Sequence, residues 1–109
     1  APLLEDKDFI LFAIKLDSYN ARFLDMKSPF REDKDIAKTA IFGDIEQAVE
    51  FSNKLFKDEE FVYSIMDEVY QYTYNGHLED IREYILDRVP KKIKNSKEFI
   101  AKYPEFKEE

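Results

Sequence analysis

DFILFAIKL, residues 8–16, is the stretch on which the fold class turns. Phe9, Ile10, Leu11, Phe12, Ala13 and Ile14 run without a polar break, and the turn cluster DSYN follows at residues 17–20. A segment this short between turn formers leaves little room for a helix. Near-continuous apolarity rich in Phe and Ile suits a strand buried on both faces, so a central strand is predicted here. NARFLDM, 20–26, sets Ala21 and Phe23 on the opposite face from Arg22 and Leu24 and is expected to pair back as the second strand of a hairpin. KSPFREDKD, 27–35, reads as an exposed loop, because Pro29 removes a ladder donor and restricts Ser28. AKTAIF, 37–42, supplies a short third strand.

Beyond Gly43 the pattern changes period. Asp44 is placed to cap a helix whose third residue onward, Gln47, can reach back in a capping box. Ile45, Ala48, Val49, Phe51, Ser52 and Leu55 form its apolar stripe, with Glu46, Glu50 and Lys54 turned to solvent. Asp58 is expected to cap a second helix in which Phe61, Val62, Ile65, Met66, Val69 and Thr73 recur at i, i+3, i+4, with Gly76 ending it. A third helix, LEDIREYILDRV at 78–89, aligns Leu78, Ile81, Ile85 and Leu86 and stops at Pro90. SKEFIAKYPEF, capped by Ser96 and stopped by Pro104, reads as a short fourth, and KKIKNSK at 91–97 as a solvated linker before it.

The expected architecture is therefore α+β: a small three-stranded antiparallel sheet in the N-terminal half, followed by three to four helices packed on one face. At 109 residues with 44% hydrophobic content the chain fits a single domain, 1–109, and neither repeats nor a linker mark an internal boundary.

Composition narrows the function classes. The longest apolar run, FILFAI at 9–14, is far below the roughly 18 residues of a spanning helix, and no membrane association is expected. APLLEDKD has no basic n-region leading into an apolar stretch, so no secretory signal is expected, and the absence of cysteine excludes disulfides and thiolate metal sites. A cytoplasmic protein fits these features. The formal charge is -7, and it is uneven: residues 1–43 carry -1, residues 44–90 carry -8 and residues 91–109 carry +2. An acidic field repels phosphate backbones, which argues against direct nucleic-acid binding and for a basic protein surface as partner.

Catalytic constellations are sparse. One histidine and no cysteine rule out a Cys/His pair, and two glycines rule out Gly-rich phosphate loops. His77, ahead of Glu79, Asp80 and Glu83, reads as a helix-start residue, since its spacing to those acids is not a metal motif and first-turn carboxylates answer the helix dipole. No cofactor is expected, and the chain is expected not to be an enzyme; a carboxylate/His hydrolase is the distant alternative. The stronger candidates are Glu60, Asp67 and Glu68 on the second helix with Glu79, Asp80, Glu83 and Asp87 on the third. If those helices form a hairpin, their carboxylates merge into one negative face fit to occupy a site evolved for phosphates. Tyr70, Tyr72 and Tyr74 lie at the joint of the two helices, and tyrosine favours interfaces. Their alternation also suits a strand before Asn75-Gly76, but the helical period running from Phe61 favours a helix.

AKTAIFGDIEQAVEFSNKL resembles segments of many short orphan proteins of phages and mobile elements. The likeness covers 19 of 109 residues and carries no family or functional residue across. An inhibitor of a host or defence protein, acting through the acidic helices, is the form of binding module expected. Surplus aromatic surface leaves a structural or oligomerisation subunit, including a homodimer, as the alternative function.

Overall fold

The computed structural model describes residues 6–71 and 78–107. No β-strand occurs among them, so the expected sheet is overturned and the chain is all-α. DFILFAIKL lies in helix α1, Lys7–Leu16, and the start of NARFLDM in a 3₁₀ segment, Ser18–Phe23. A second 3₁₀ segment, Pro29–Glu32, interrupts the expected loop, and AKTAIF lies inside α2, Lys34–Gly43. The helix expected after Asp44 is a 3₁₀ segment, Ile45–Glu50, separated from another at Leu55–Lys57. Helix α3, Glu59–Gln71, follows the expected second helix over its described length; Thr73 and Gly76 lie outside the described residues. The third helix divides into α4, Leu78–Tyr84, and a 3₁₀ turn, Leu86–Arg88. The expected linker contains α5, Lys91–Lys94; the fourth helix is α6, Lys97–Lys102, and Pro104 starts a 3₁₀ turn to Phe106.

Why α1 is a helix is visible at its ends. The Asp6 carboxylate accepts from the N–H groups of Asp8 and Phe9 at 2.9 and 3.4 Å, Asp8 sits at the positive end of the dipole and Lys15 at the negative end. The same construction recurs. Asp33 caps α2 through Asp35 and Ile36 at 2.9 and 3.1 Å, and Asp58 caps α3 through Phe61 at 3.2 Å. Helices α1 and α2 both end on an extended aspartate, Asp17 (φ -158°, ψ 111°) and Asp44 (φ -158°, ψ 110°). Each of these accepts from the N–H two residues on, Tyr19 at 3.0 Å and Glu46 at 3.1 Å, and so opens a 3₁₀ segment. The capping box is not formed: Gln47 Nε2 donates to the Asp44 carboxylate at 3.2 Å, while the Asp44 N–H is bonded to Ala40 O.

These parallels expose an internal repeat, which corrects the expectation of none. Glu5-Asp6-Lys7-Asp8 recurs as Glu32-Asp33-Lys34-Asp35, Ala13-Ile14 as Ala40-Ile41, Asp17 as Asp44 and Ala21 as Ala48, always 27 residues on. The first-turn lysine of one unit bonds the capping aspartate of the next: Lys7 to Asp33 at 3.0 Å, Lys34 to Asp58 at 2.6 Å. Helices α1, α2 and α3 thus make one layer; the segments Ser18–Phe23 and Ile45–Glu50, followed by α4, make the other. Between the layers lie Ile14, Ala21, Ile36, Ile41, Ala48, Phe56, Phe61, Ile65, Ile81 and Ile85, all buried. Each unit can hide its apolar side only against a neighbour, the physical basis of repeat architectures.

Arginines tie the 3₁₀ layer together. Arg31 donates to Leu24 O, to Asp25 O at 2.9 Å and to Glu50 O at 2.6 Å. Arg88 donates to Ala48 O, to Phe51 O and to Asn53 Oδ1 at 2.6 Å, with its guanidinium 4.1 Å from the Phe56 ring centroid. Leu24 and Phe51 occupy equivalent repeat positions, so one clamp serves each unit.

The C-terminal end is closed by aromatic packing. Phe99 and Tyr103 are buried against Tyr63, while Tyr70 meets Tyr103 edge-on at 5.2 Å and Phe106 at 6.0 Å.

Candidate protein-binding surface

Helices α3 and α4 hold the expected carboxylates, except Asp87 in the turn Leu86–Arg88, because their apolar stripes face the core, Phe61, Val62, Ile65, Met66 and Val69 on one and Ile81 on the other. Glu60, Glu79, Glu83 and Asp87 are exposed and Glu68 is half-buried, and none of these five makes an ion pair among the described residues. Asp80 and Glu83 act together on Tyr84. The Tyr84 hydroxyl donates to Glu46 at 3.1 Å, and that bond, joined by the negative charge of Glu83 and Asp80, raises its pKa above the usual phenol value. Glu46 on the second unit therefore joins the acidic field of α4, a contributor that sequence periodicity had placed only as a solvent-facing residue.

The remaining candidates are used internally. Asp67 accepts from the Tyr103 hydroxyl and lies 3.9 Å from Lys102. Tyr70 is half-buried in the aromatic end, and its hydroxyl donates to Glu105. That bond pushes the Tyr70 pKa up to about 12 and holds the Glu105 carboxyl below its ordinary value. Burial, then the bond to Asp67, raises Tyr103. Tyr70 and Asp67 thus fasten the C-terminal segment to α3. Tyr72, Tyr74 and His77 lie outside the described residues.

No protein-family model, curated protein or solved structure matches this chain. Its surfaces must be read from their own chemistry.

No group of three or more His, Asp or Glu side chains spaced to hold a metal occurs among the described residues, and no described helix is long and apolar enough to cross a membrane. Large apolar side chains that the sequence reading hid are exposed in more than one place: Phe12, Leu16, Tyr19, Phe23 and Met26 on the first unit and Phe42 and Val49 on the second. Phe23 borders a groove with Phe9 and Ala13, Met26 a cleft with Arg31 and Glu50, and Tyr19 and Val49 a third beside Tyr84. Arg22 stands over the Tyr19 ring at 4.8 Å from its centroid. Once DFILFAIKL was read as a buried strand, its apolar residues could no longer signal a surface.

Proposed function

We propose that the protein is a non-enzymatic protein-binding module, a helical repeat array whose α3–α4 carboxylates engage a basic surface on a partner. The observation that carries this reading is that Glu60, Glu79, Glu83 and Asp87 are exposed without ion-pair partners among the described residues, within the stretch that holds most of the net negative charge. Unpaired surface carboxylates steer association with a cationic groove and make it dependent on ionic strength. A groove evolved for phosphate backbones is the matching chemistry, and occupying it makes the chain an inhibitor of a nucleic-acid-binding host or defence protein. Asp67 and Tyr70 are left out of the contact surface because they fasten α6 and the C-terminal turn.

The test is capture of basic nucleic-acid-binding proteins on the immobilised chain, with elution by salt or by competing DNA. Glu79→Lys combined with Glu83→Lys should lose the captured proteins while leaving the circular dichroism unchanged. Retention indifferent both to salt and to the reversal would overturn the reading.

A further inference from the structure

The two ends of the array are built differently. At the C-terminal end, Phe99, Tyr103 and Phe106 are buried beneath their own chain. At the other end, α1 leaves Phe12 at 59% and Leu16 at 71% exposure, and the segment after it leaves Phe23 at 65% and Met26 at 84%. Large apolar side chains exposed side by side on a helix face invite association.

Comparison between units shows what belongs on this face. In α2, Ile36 and Ala40 are fully buried, and Gly43 sits against Ser18 of the first unit so closely that a Cβ would lie 1.8 Å from its hydroxyl oxygen. The equivalent positions in α1 are Phe9, Ala13 and Leu16. Phe9 and Ala13 border an apolar groove of about 220 Å³ that continues to Asn20 and Phe23. Leucine stands where close stacking of another such unit requires glycine. This face therefore cannot extend the stack by the same approach, but large side chains beside a groove suit interdigitation between separate molecules.

We propose that the occupant is a second copy of this chain, joined through a two-fold contact in which Phe12, Leu16 and Phe23 of each molecule, beside the groove, meet their counterparts. Charge selects this end. Two molecules of -7 repel, but residues 1–43 carry only -1, whereas residues 44–90 carry -8. A two-fold pairing through the first unit points the acidic parts away from each other. Area sets the strength: three side chains, each exposing on the order of 150 Å², with the groove walls beside them, fall below the roughly 800 Å² per partner of a stable interface, so the pairing is weak and concentration-dependent. A two-fold contact also needs no complementary surface elsewhere on the molecule.

Sedimentation equilibrium across a wide concentration range should give a mass rising to twice the monomer's, and Leu16→Glu with Phe23→Glu should hold it at the monomer. A circular dichroism melt of the double variant separates lost association from lost folding. Because the chain has no cysteine, a single Leu16→Cys is a second probe. Mild oxidation should link it into covalent dimers, and Glu83→Cys should form no covalent dimer under the same treatment. A concentration-independent monomer, or a dimer that survives Leu16→Glu and that Leu16→Cys fails to link, would overturn the proposal. Acidic-face binding by a monomer would leave the proposed function standing without it.

Discussion

Gly43 shows how much one missing atom decides. Its backbone is not in the left-handed region, so the requirement is space: a Cβ would lie 1.8 Å from Ser18 Oγ and 3.1 Å from Ser18 Cβ. Gly43→Val should destabilise the fold by about 1–3 kcal/mol through overpacking, and adding Ser18→Ala should recover part of that loss in urea unfolding. Tyr63 makes the opposite case, since its hydroxyl is buried without a hydrogen-bond partner among the described residues while its ring packs on Phe99 and Tyr103. Tyr63→Phe should therefore leave stability unchanged or raise it by up to about 1 kcal/mol, and a lower Tm would show that the hydroxyl is bonded. Arg88→Met should cost about 3 kcal/mol, because it strands the Ala48 and Phe51 carbonyls that the guanidinium holds. None of these roles could be read locally: the partners of Arg88 are 35 to 40 residues away, and two of them are backbone carbonyls that any residue supplies.

At the level of elements, the aspartate caps were legible and the first helices were not. Asp44, Asp58 and Ser96 were identified as caps, whereas Asp33 was absorbed into an expected loop, so the reading entered α2 after its first turn. Helix α1 misled for a different reason. Phe9 to Ile14 run six residues without a polar break, the length of a strand, and the polar residues Lys7, Asp8 and Lys15 stand only at the ends of the helix. The 27-residue repeat was the available signal, because Asp-Lys-Asp recurs with Ala-Ile, Asp and Ala at the same offsets and points to one structure for both segments. The caps also predict a pH response. Asp58 is held below the ordinary carboxylate pKa, first by its bond to Lys34 and then by the Phe61 N–H. A depressed folded pKa contributes stability above the unfolded value of about 3.9 and loses it as pH falls through the folded value. Asp58→Asn, which keeps a cap but loses the Lys34 pair, should be less stable than wild type at neutral pH. The gap should close in acid, as followed by denaturant melts at successive pH values.

The whole molecule is an elongated array, with extents of 50 × 26 × 17 Å, closed at one end by contacts that span some 35 residues of chain. Those contacts carry an alkaline signature. Tyr70, bonded to Glu105, is pushed up to about 12, whereas an unfolded tyrosine ionises near 10. A raised folded pKa contributes stability below the unfolded value and loses it as pH rises through the folded one. The C-terminal segment should thus loosen between about pH 10 and 12, with phenolate absorbance and helical dichroism changing together, and Tyr70→Phe should flatten that response. By itself the sequence determined the charge distribution, the absence of a spanning segment, α3 over its described length, α6 to within its ends and the start of α4, because capping and amphipathic period act over a few residues. Only the tertiary structure decided that the N-terminal half is helical, that Tyr70 and Asp67 are fastenings, and that Phe12 and Leu16 face outward. An unbroken apolar run such as Phe9 to Ile14 does not name its buried side until a neighbour covers one.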